Sequence, residues 1–248
     1  MQLYGLIGKK LGHSFSKTYF TEKFKKENLT MHDYELFELE KISDFPQLLN
    51  KHNNLKGLNV TIPYKQSIIQ YLDEIDEVAE EIQAVNTINI TNKCRTKGYN
   101  TDIYGFKTSL NRIINNNINH ALVLGTGGAS KAVCFVLKEL EIDYIKVSRK
   151  EQNNCMLYSE LDNKLVNQSN LIINCTPLGM YPDVDSLPDI PLEGIDMHHI
   201  IYDLVYNPQE TRIMMEGKSR GAKCVNGLDM LVLQAEKSWQ IWNNQGVS

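Results

Sequence analysis

Polar and charged side chains fall where strand-like segments end and helices begin, which is where ligands bind in open α/β sheets. Lys65 closes the run NVTIPYK at residues 59–65, and Asp102 follows GYNT at residues 98–101. Pro63 predicts the opening of a helix, so Lys65 would stand in a first turn, the unfavourable end for a cation. That unfavourable placement suggests a functional role for the lysine, although most lysines are simply solvated. Asp102 taken alone is typical of a carboxylate that stabilises a helix start.

Hydroxyl and amide groups accompany these charges. Ser14 and Ser16 point to the same side of an extended segment and can hold a carboxylate or a polyol, or one of them can cap the helix that follows. Asn86 lies in a strand-like apolar run, where a polar amide needs partners. Each residue has a simple structural explanation. Together they indicate a ligand site at the strand ends of one α/β domain.

A glycine-rich turn marks a second site. The apolar run ALVL at residues 121–124 leads into GTGGAS at residues 125–130, and a helix pattern follows. Glycines let backbone N–H groups approach a pyrophosphate, and the helix N-terminus adds its positive dipole end. A tight packing turn that binds nothing is the alternative, but the strand and helix on either side favour a dinucleotide.

The next strand ends in Ser148, Arg149 and Lys150, where an NAD site usually carries an acid for the ribose 2′-hydroxyl. A guanidinium instead suits a 2′-phosphate, which it binds as a bidentate fork. The sequence therefore predicts NADP. An ordinary surface arginine is the alternative.

Strand and helix patterns alternate along almost the whole chain, which predicts βαβ units and a mainly parallel sheet. We expect two domains: residues 1–102, joined by a C-terminal helix at 228–248, and residues 103–227. Turns are predicted at residues 91–93 and 115–117. Helices are predicted at 16–27, 44–51, from Pro63, at 101–114, 129–140 and 209–216, and from near Gly227. The last has an apolar stripe of Leu228, Leu231, Val232, Ala235, Trp239 and Trp242.

Composition excludes several classes of protein. The net charge of −4 argues against nucleic acid, which needs a concentrated basic face. The five cysteines are odd in number and lack Cys-x-x-Cys spacing, so we expect neither disulfides nor a metal site. Free thiols suit the cytoplasm. No apolar run approaches the roughly 18–20 residues of a membrane span, and the N-terminus reads as a strand, not a signal peptide.

Six motifs in this order resemble the shikimate dehydrogenase family over essentially the full length. They are HSFS at 13–16, NVTIPYK at 59–65, AVNT at 84–87, YNTD at 99–102, GTGGAS at 125–130 and NGLDML at 226–231, with Gln234 following. The resemblance implies an α/β fold with an N-terminal substrate domain, a Rossmann-like NADP-binding domain and a C-terminal helix packing back toward the substrate domain.

The resemblance also implies roles. Lys65 and Asp102 would be the catalytic pair, and no metal is implied. The substrate, shikimate or 3-dehydroshikimate, would be held by Ser14, Ser16, Thr61, Asn86, Tyr206 and Gln234, with the serines and Tyr206 toward its carboxylate. NADP would be bound by Gly125, Thr126, Gly127, Gly128, Ala129, Ser148 and Arg149, with Leu204 and Gly227 near the nicotinamide.

The implied activity is reversible reduction of 3-dehydroshikimate with NADPH in aromatic amino-acid biosynthesis, by a cytoplasmic monomer or homodimer. Two alternatives stay open: a dehydrogenase that prefers quinate, and a cofactor-binding regulator without turnover. The chain departs from the family where Ser148 and Lys150 flank Arg149, since Asn-Arg-Thr is frequent there. Lys9 or Lys10 also replaces a proline common before the serine motif.

Overall fold

The computed structural model describes residues 1–12, 14–91, 95–114 and 118–243. His13, residues 92–93 of one predicted turn and residues 115–117 of the other lie outside the described residues. The chain forms two compact units. One combines Met1–Thr101 with the chain from Gln234 onward, and the other spans Asp102–Leu233.

The first unit is built on a mixed six-stranded sheet. Strands run in the order β2-β1-β3-β5-β6-β4, and only β5 pairs antiparallel to its two neighbours. Its elements are β1 (Gln2–Gly8), α1 (Phe15–Lys26), β2 (His32–Glu38), α2 (Phe45–Lys51), β3 (Leu55–Val60), β4 (Glu74–Ile75), α3 (Glu77–Glu81), β5 (Thr87–Ile90) and β6 (Thr96–Tyr99). Short 3-10 turns occupy Ile42–Asp44 and Ile69–Tyr71.

The end of the last helix completes this unit. From Gln234 on, the helix Leu228–Trp242 adds Ala235, Trp239 and Trp242 to an apolar cluster that includes Tyr4 and Phe20. The Trp242 indole N–H donates to the Ile88 carbonyl oxygen at 3.0 Å, which satisfies a polar atom inside the cluster. The predicted packing of the C-terminal helix against the N-terminal fold is confirmed.

The second unit has a parallel six-stranded sheet in the order β12-β11-β10-β7-β8-β9. Numbered from β7, this is the 3-2-1-4-5-6 order of a Rossmann fold, whose topological switch lies beside β7. Its elements are α4 (Thr101–Asn111), β7 (His120–Leu124), α5 (Gly128–Glu139), β8 (Asp143–Ser148), β9 (Met156–Leu157), α6 (Asn163–Gln168), β10 (Leu171–Asn174), β11 (Ile200–Asp203), α7 (Arg212–Ser219), β12 (Lys223–Asn226) and α8 (Leu228–Trp242).

The helix predicted from Pro63 is wrong. Residues 62–68 form turns, after a cis Ile62–Pro63 peptide bond. The Lys65 carbonyl, which a helix would pair with residue 69, accepts instead from the Val85 N–H at 2.7 Å. A contact with a distant segment therefore takes the acceptor that the helix needs.

Smaller differences concern helix ends and short elements. α7 begins at Arg212, three residues later than predicted, and α4 ends at Asn111 instead of Ile114. Two helices, α3 and α6, were not predicted, because they are too short to show a helical period. Leu228 of the predicted apolar stripe is 41% exposed. Among the described residues no helix is long and apolar enough to cross a membrane.

Candidate active site

Asn86 lies at the centre of a buried hydrogen-bond network in the first unit. It immediately precedes β5 and is 3% exposed. Its side-chain oxygen accepts from the Thr101 backbone N–H at 2.7 Å and from the Thr87 hydroxyl at 3.1 Å. A backbone N–H can only donate, so the amide atom facing Thr101 must be the oxygen. The NH2 group therefore lies on the side of the amide opposite Thr101.

A second layer of polar groups supports this arrangement. The Tyr34 hydroxyl donates to the Asn59 side-chain oxygen at 2.9 Å, which directs the Asn59 amide nitrogen to the Ser238 hydroxyl at 2.9 Å and to Thr87 at 3.2 Å. Thr87 and Ser238 lie 2.8 Å apart, and neither is exposed. Neither residue was predicted from the sequence to belong to the site. Ser238 follows Gln234 by four residues on one helix face, which is the signal that predicts it.

Gln234 joins the same network. It is buried, and the Thr101 hydroxyl donates to its side-chain oxygen at 3.4 Å. Its backbone carbonyl accepts from the Ser238 hydroxyl at 2.9 Å. The structure thus brings together two of the predicted substrate residues, Asn86 and Gln234, through Thr101.

Lys65 lies next to this network in a turn, and not at the start of a helix. Its carbonyl accepts from Val85, the residue before Asn86, and its side chain is half-buried. The prediction that Lys65 lies in the first turn of a helix, where the helix dipole disfavours a cation, is therefore wrong, because no helix begins at Pro63. Asp102, buried in the first turn of α4, directly follows Thr101.

The two serines do not share one extended segment. Ser14 has extended backbone angles (φ −91°, ψ 123°) and caps α1, its hydroxyl accepting from the Lys17 N–H at 3.5 Å. Ser16 lies inside the helix, is buried, and hydrogen-bonds Tyr34. The capping alternative is thus confirmed for Ser14, and the shared extended geometry is wrong for Ser16. Thr61 follows β3 and donates its N–H to the Ile7 carbonyl at 2.9 Å.

The glycine turn of the second unit has the form that a dinucleotide requires. Gly125 has φ +103°, and a Cβ there would lie 2.9 Å from the Thr176 methyl group. Gly127 caps α5 without a side-chain hydrogen bond, and a Cβ built on it meets nothing within 4 Å. Thr126 lies between these two glycines, and Gly128 and Ala129 begin α5. Close backbone approach to a pyrophosphate is therefore unobstructed, so these residues fit NADP.

The end of β8 carries no acid. Ser148 is buried and its hydroxyl accepts from the Lys150 N–H at 3.2 Å, whereas Arg149 is exposed. Arg149 lines a cavity of about 460 Å³ together with Tyr158 and Asp189. Burial raises the pKa of Tyr158 to about 12, and the nearby Arg149 charge opposes that rise. This edge therefore offers a cation for a phosphate.

The β11 end packs its backbone against the start of α8. A Cβ on Gly227 would lie 2.2 Å from the Leu204 carbonyl oxygen, so only glycine fits this approach. The Gly227 N–H donates to the Val205 carbonyl at 3.2 Å. Tyr206 is half-buried, and that burial raises the pKa of its phenol.

Comparison with known proteins agrees with this geometry. Residues 6–88 match the family model described as the shikimate dehydrogenase substrate binding domain. A shikimate dehydrogenase (NADP+) from Clostridium beijerinckii is 42% identical over 98% of this chain and 92% of its own length. The chain belongs to the shikimate dehydrogenase family.

Solved shikimate dehydrogenases share the fold. One from Peptoclostridium difficile is 36% identical with a TM-score of 0.82, covering 100% of this chain and 94% of its own. One from Thermus thermophilus, in complex with NADP(H) and shikimate, is 28% identical with a TM-score of 0.86, covering 98% and 94%. The α/β fold expected of the shikimate dehydrogenase family, with a Rossmann-like part, is confirmed.

Proposed function

We propose that this chain reduces the ketone of 3-dehydroshikimate to the alcohol of shikimate with NADPH, reversibly, in aromatic amino-acid biosynthesis. The observation that carries this proposal is the orientation of Asn86, whose oxygen is held by Thr101 and Thr87. We infer that the NH2 end of this oriented amide is the end that faces a ring hydroxyl of the substrate. A site that pairs a substrate hydroxyl in this way discriminates strongly against an analogue that lacks it.

Substrate contacts follow from the same reasoning. Thr61, Asn86 and Gln234 offer neutral hydrogen-bonding groups, which suit the hydroxyls of the ring. Ser14, Ser16 and Tyr206 offer hydroxyls to the carboxylate. Because Ser14 also caps α1, its Oγ would receive the Lys17 N–H and donate its own proton to the carboxylate.

Lys65 and Asp102 are proposed as the catalytic pair. NADPH, when bound, supplies the hydride that adds to the carbonyl carbon. Lys65 donates a proton to the ketone oxygen as that atom gains negative charge, and in the reverse direction the amine accepts the proton. Asp102, whose carboxylate is buried, would orient the lysine. Lys65 is half-buried.

NADP is assigned to the second unit, with residues 103–227 as the cofactor domain and residues 1–102 plus 228–248 as the substrate domain. The backbone of 125–129 would hold the pyrophosphate, and Ser148 and Arg149 would hold the 2′-phosphate. Leu204 and Gly227 would face the nicotinamide. The unobstructed N-terminus of α5 and the absence of an acid at the end of β8 support this assignment.

We further propose that the enzyme acts in the cytoplasm as a monomer or homodimer and binds no nucleic acid. The four described cysteines are free, which suits a reducing compartment. The net charge of −4 opposes binding to a polyanion.

The test is a steady-state assay of four pairs: shikimate or quinate, each with NADP or NAD. The proposal expects the highest kcat/KM with shikimate and NADP. A higher value with quinate would identify the alternative dehydrogenase. Turnover with neither acid, although NADP binds in calorimetry, would identify a regulator instead.

A further inference from the structure

Asp203 is a buried carboxylate that the proposed reaction does not use. It ends β11, is 0% exposed, and is followed directly by Leu204, Val205 and Tyr206. One carboxylate oxygen, Oδ1, accepts from the Asn174 amide nitrogen at 2.9 Å and from the Val205 N–H at 3.0 Å. The other, Oδ2, accepts from the Thr211 hydroxyl at 2.5 Å.

The charge of this carboxylate has no ionic partner in the part of the chain that the structure describes. The ionisable groups near it are the thiols of Cys175 on the β10 side and Cys224 on β12, whose pKa values are raised chiefly by burial and further by Asp203. Burial raises the pKa of Asp203 itself to about 6, while its three donors oppose the rise. Because burying an unpaired carboxylate costs free energy, the groups that its hydrogen bonds position indicate the role of Asp203.

The two oxygens hold different parts of the unit. Oδ1 joins the end of β10 to the backbone at Val205, and the Leu204 N–H donates to the Asn174 carbonyl at 3.0 Å beside it. The Val205 carbonyl then accepts from Gly227. Oδ2 reaches only Thr211, which precedes α7. Thus Oδ1 contacts the backbone between Leu204 and Tyr206, and Oδ2 contacts the residue before α7.

We propose that Asp203 is a positioning residue, whose Oδ1 fixes residues 204–206 so that Leu204 meets the cofactor and Tyr206 meets the substrate carboxylate. This inference rests on the proposed function for the roles of those two residues. The position of residues 204–206 depends on the hydrogen bonds that Oδ1 accepts, and not on the negative charge of the carboxylate. Asp203→Asn therefore keeps an accepting oxygen at the Oδ1 position, and its new NH2 group donates to the Thr211 hydroxyl.

Four variants separate positioning from stability. Asp203→Ala removes both oxygens, Asp203→Asn keeps Oδ1, Thr211→Val removes only the donor to Oδ2, and Asn174→Ala removes one donor to Oδ1. For each, KM and kcat are measured with shikimate and NADP, Kd for NADP and for shikimate by calorimetry, and Tm by thermal unfolding. The calorimetry does not require turnover, so a failed activity assay in the parent chain would refute the proposed function without deciding this question.

Asp203→Ala is expected to raise KM and Kd for both ligands by about ten- to a hundredfold, the scale of a misplaced binding group. In Asp203→Asn, KM and Kd for both ligands should lie within about threefold of the parent values. Thr211→Val should lower Tm without raising KM. If Asp203→Ala does not fold, Asn174→Ala is expected to raise both Kd values above those of Thr211→Val and of Thr176→Val, a control that removes only the Thr176 hydroxyl, which donates to Asn174. Unchanged Kd values in Asp203→Ala or Asn174→Ala, or equal losses in Asp203→Asn and Asp203→Ala, would overturn the proposal.

Discussion

The Thr101 backbone N–H donates to the side-chain oxygen of Asn86 at 2.7 Å, and this contact fixes which end of the amide is the oxygen. Thr101 is the residue before Asp102, and Val85, before Asn86, donates its N–H to Lys65. The backbone around three predicted site residues is thus fixed by hydrogen bonds made before any ligand binds. Such preorganisation is what precise positioning of a substrate requires.

Replacing only the donor end of Asn86 tests this orientation. Asn86→Asp keeps an oxygen for Thr101 and puts a carboxylate oxygen where the NH2 group was. We expect kcat/KM for shikimate to fall by about 10–100-fold, since removing one partner of a buried hydrogen bond costs about 1–3 kcal/mol. Asn89→Asp, on the same strand, is the matched control. Equal kcat/KM in the two variants would refute the orientation.

Ser238 is predicted to contribute to stability through Asn59. Ser238→Ala leaves the Asn59 amide without its 2.9 Å acceptor inside the unit. Because the Thr87 hydroxyl and the Asn86 carbonyl remain as acceptors at 3.2 and 3.4 Å, the free energy of unfolding should fall by about 0.5–1.5 kcal/mol, the net contribution of one hydrogen bond. Ser219→Ala serves as control in urea unfolding, because Ser219 also bonds a helix carbonyl but is exposed. Equal decreases in the free energy of unfolding of the two variants would show that the buried hydrogen-bond network does not stabilise the chain.

Arg149 is predicted to select NADP over NAD. Arg149→Ala should raise KM for NADP by about tenfold or more, the cost of one charge-assisted contact, and leave KM for NAD unchanged. Lys150→Ala, the adjacent exposed cation, should change the NADP preference less. A parent enzyme with equal kcat/KM for both cofactors would contradict the assignment.

The stability of the chain should depend on pH through Asp203. Its pKa is about 6 in the folded chain against an ordinary 3.8, so the folded state binds the proton more tightly. Stability from this group is therefore full below pH 3.8 and declines as pH rises to about 6. Asp203→Asn removes this cost, so its free energy of unfolding relative to the parent should increase by about 2 kcal/mol between pH 4.5 and 7.5.

Urea unfolding of both proteins at the two pH values measures this shift. The other carboxylates titrate alike in both proteins, so they cancel in the comparison. A difference between parent and variant that stays constant with pH would mean that Asp203 keeps an ordinary pKa.

The elements that sequence predicted well are those with strong local signals. The run 121–124 is apolar and ends at glycine, and β7 and α5 form around it with boundaries within one residue. The helix predicted from Pro63 fails because Val85 takes the Lys65 carbonyl. No local pattern contains that contact, since twenty residues separate its partners along the chain.

The site shows the same division. Motifs identified Asn86 and Gln234, but which end of the Asn86 amide faces outward depends on Thr101, Thr87 and Ser238 together. No sequence pattern predicts the contacts of Asp203, because its carboxylate accepts hydrogen bonds from Asn174 at the end of β10 and from Thr211 before α7. Networks of this kind join residues distant in sequence and become visible only when the chain is folded.

The most direct test of the account is the rate of NADPH formation from shikimate and NADP, at saturation, by the parent chain and by Lys65→Ala. If Lys65 transfers the proton, kcat should fall by about 10²–10⁴-fold with little change in KM, the usual contribution of general acid–base catalysis. Lys51→Ala, on α2, should match the parent. A parent chain that forms no NADPH, or a Lys65→Ala variant with normal kcat and a raised KM, would contradict the account.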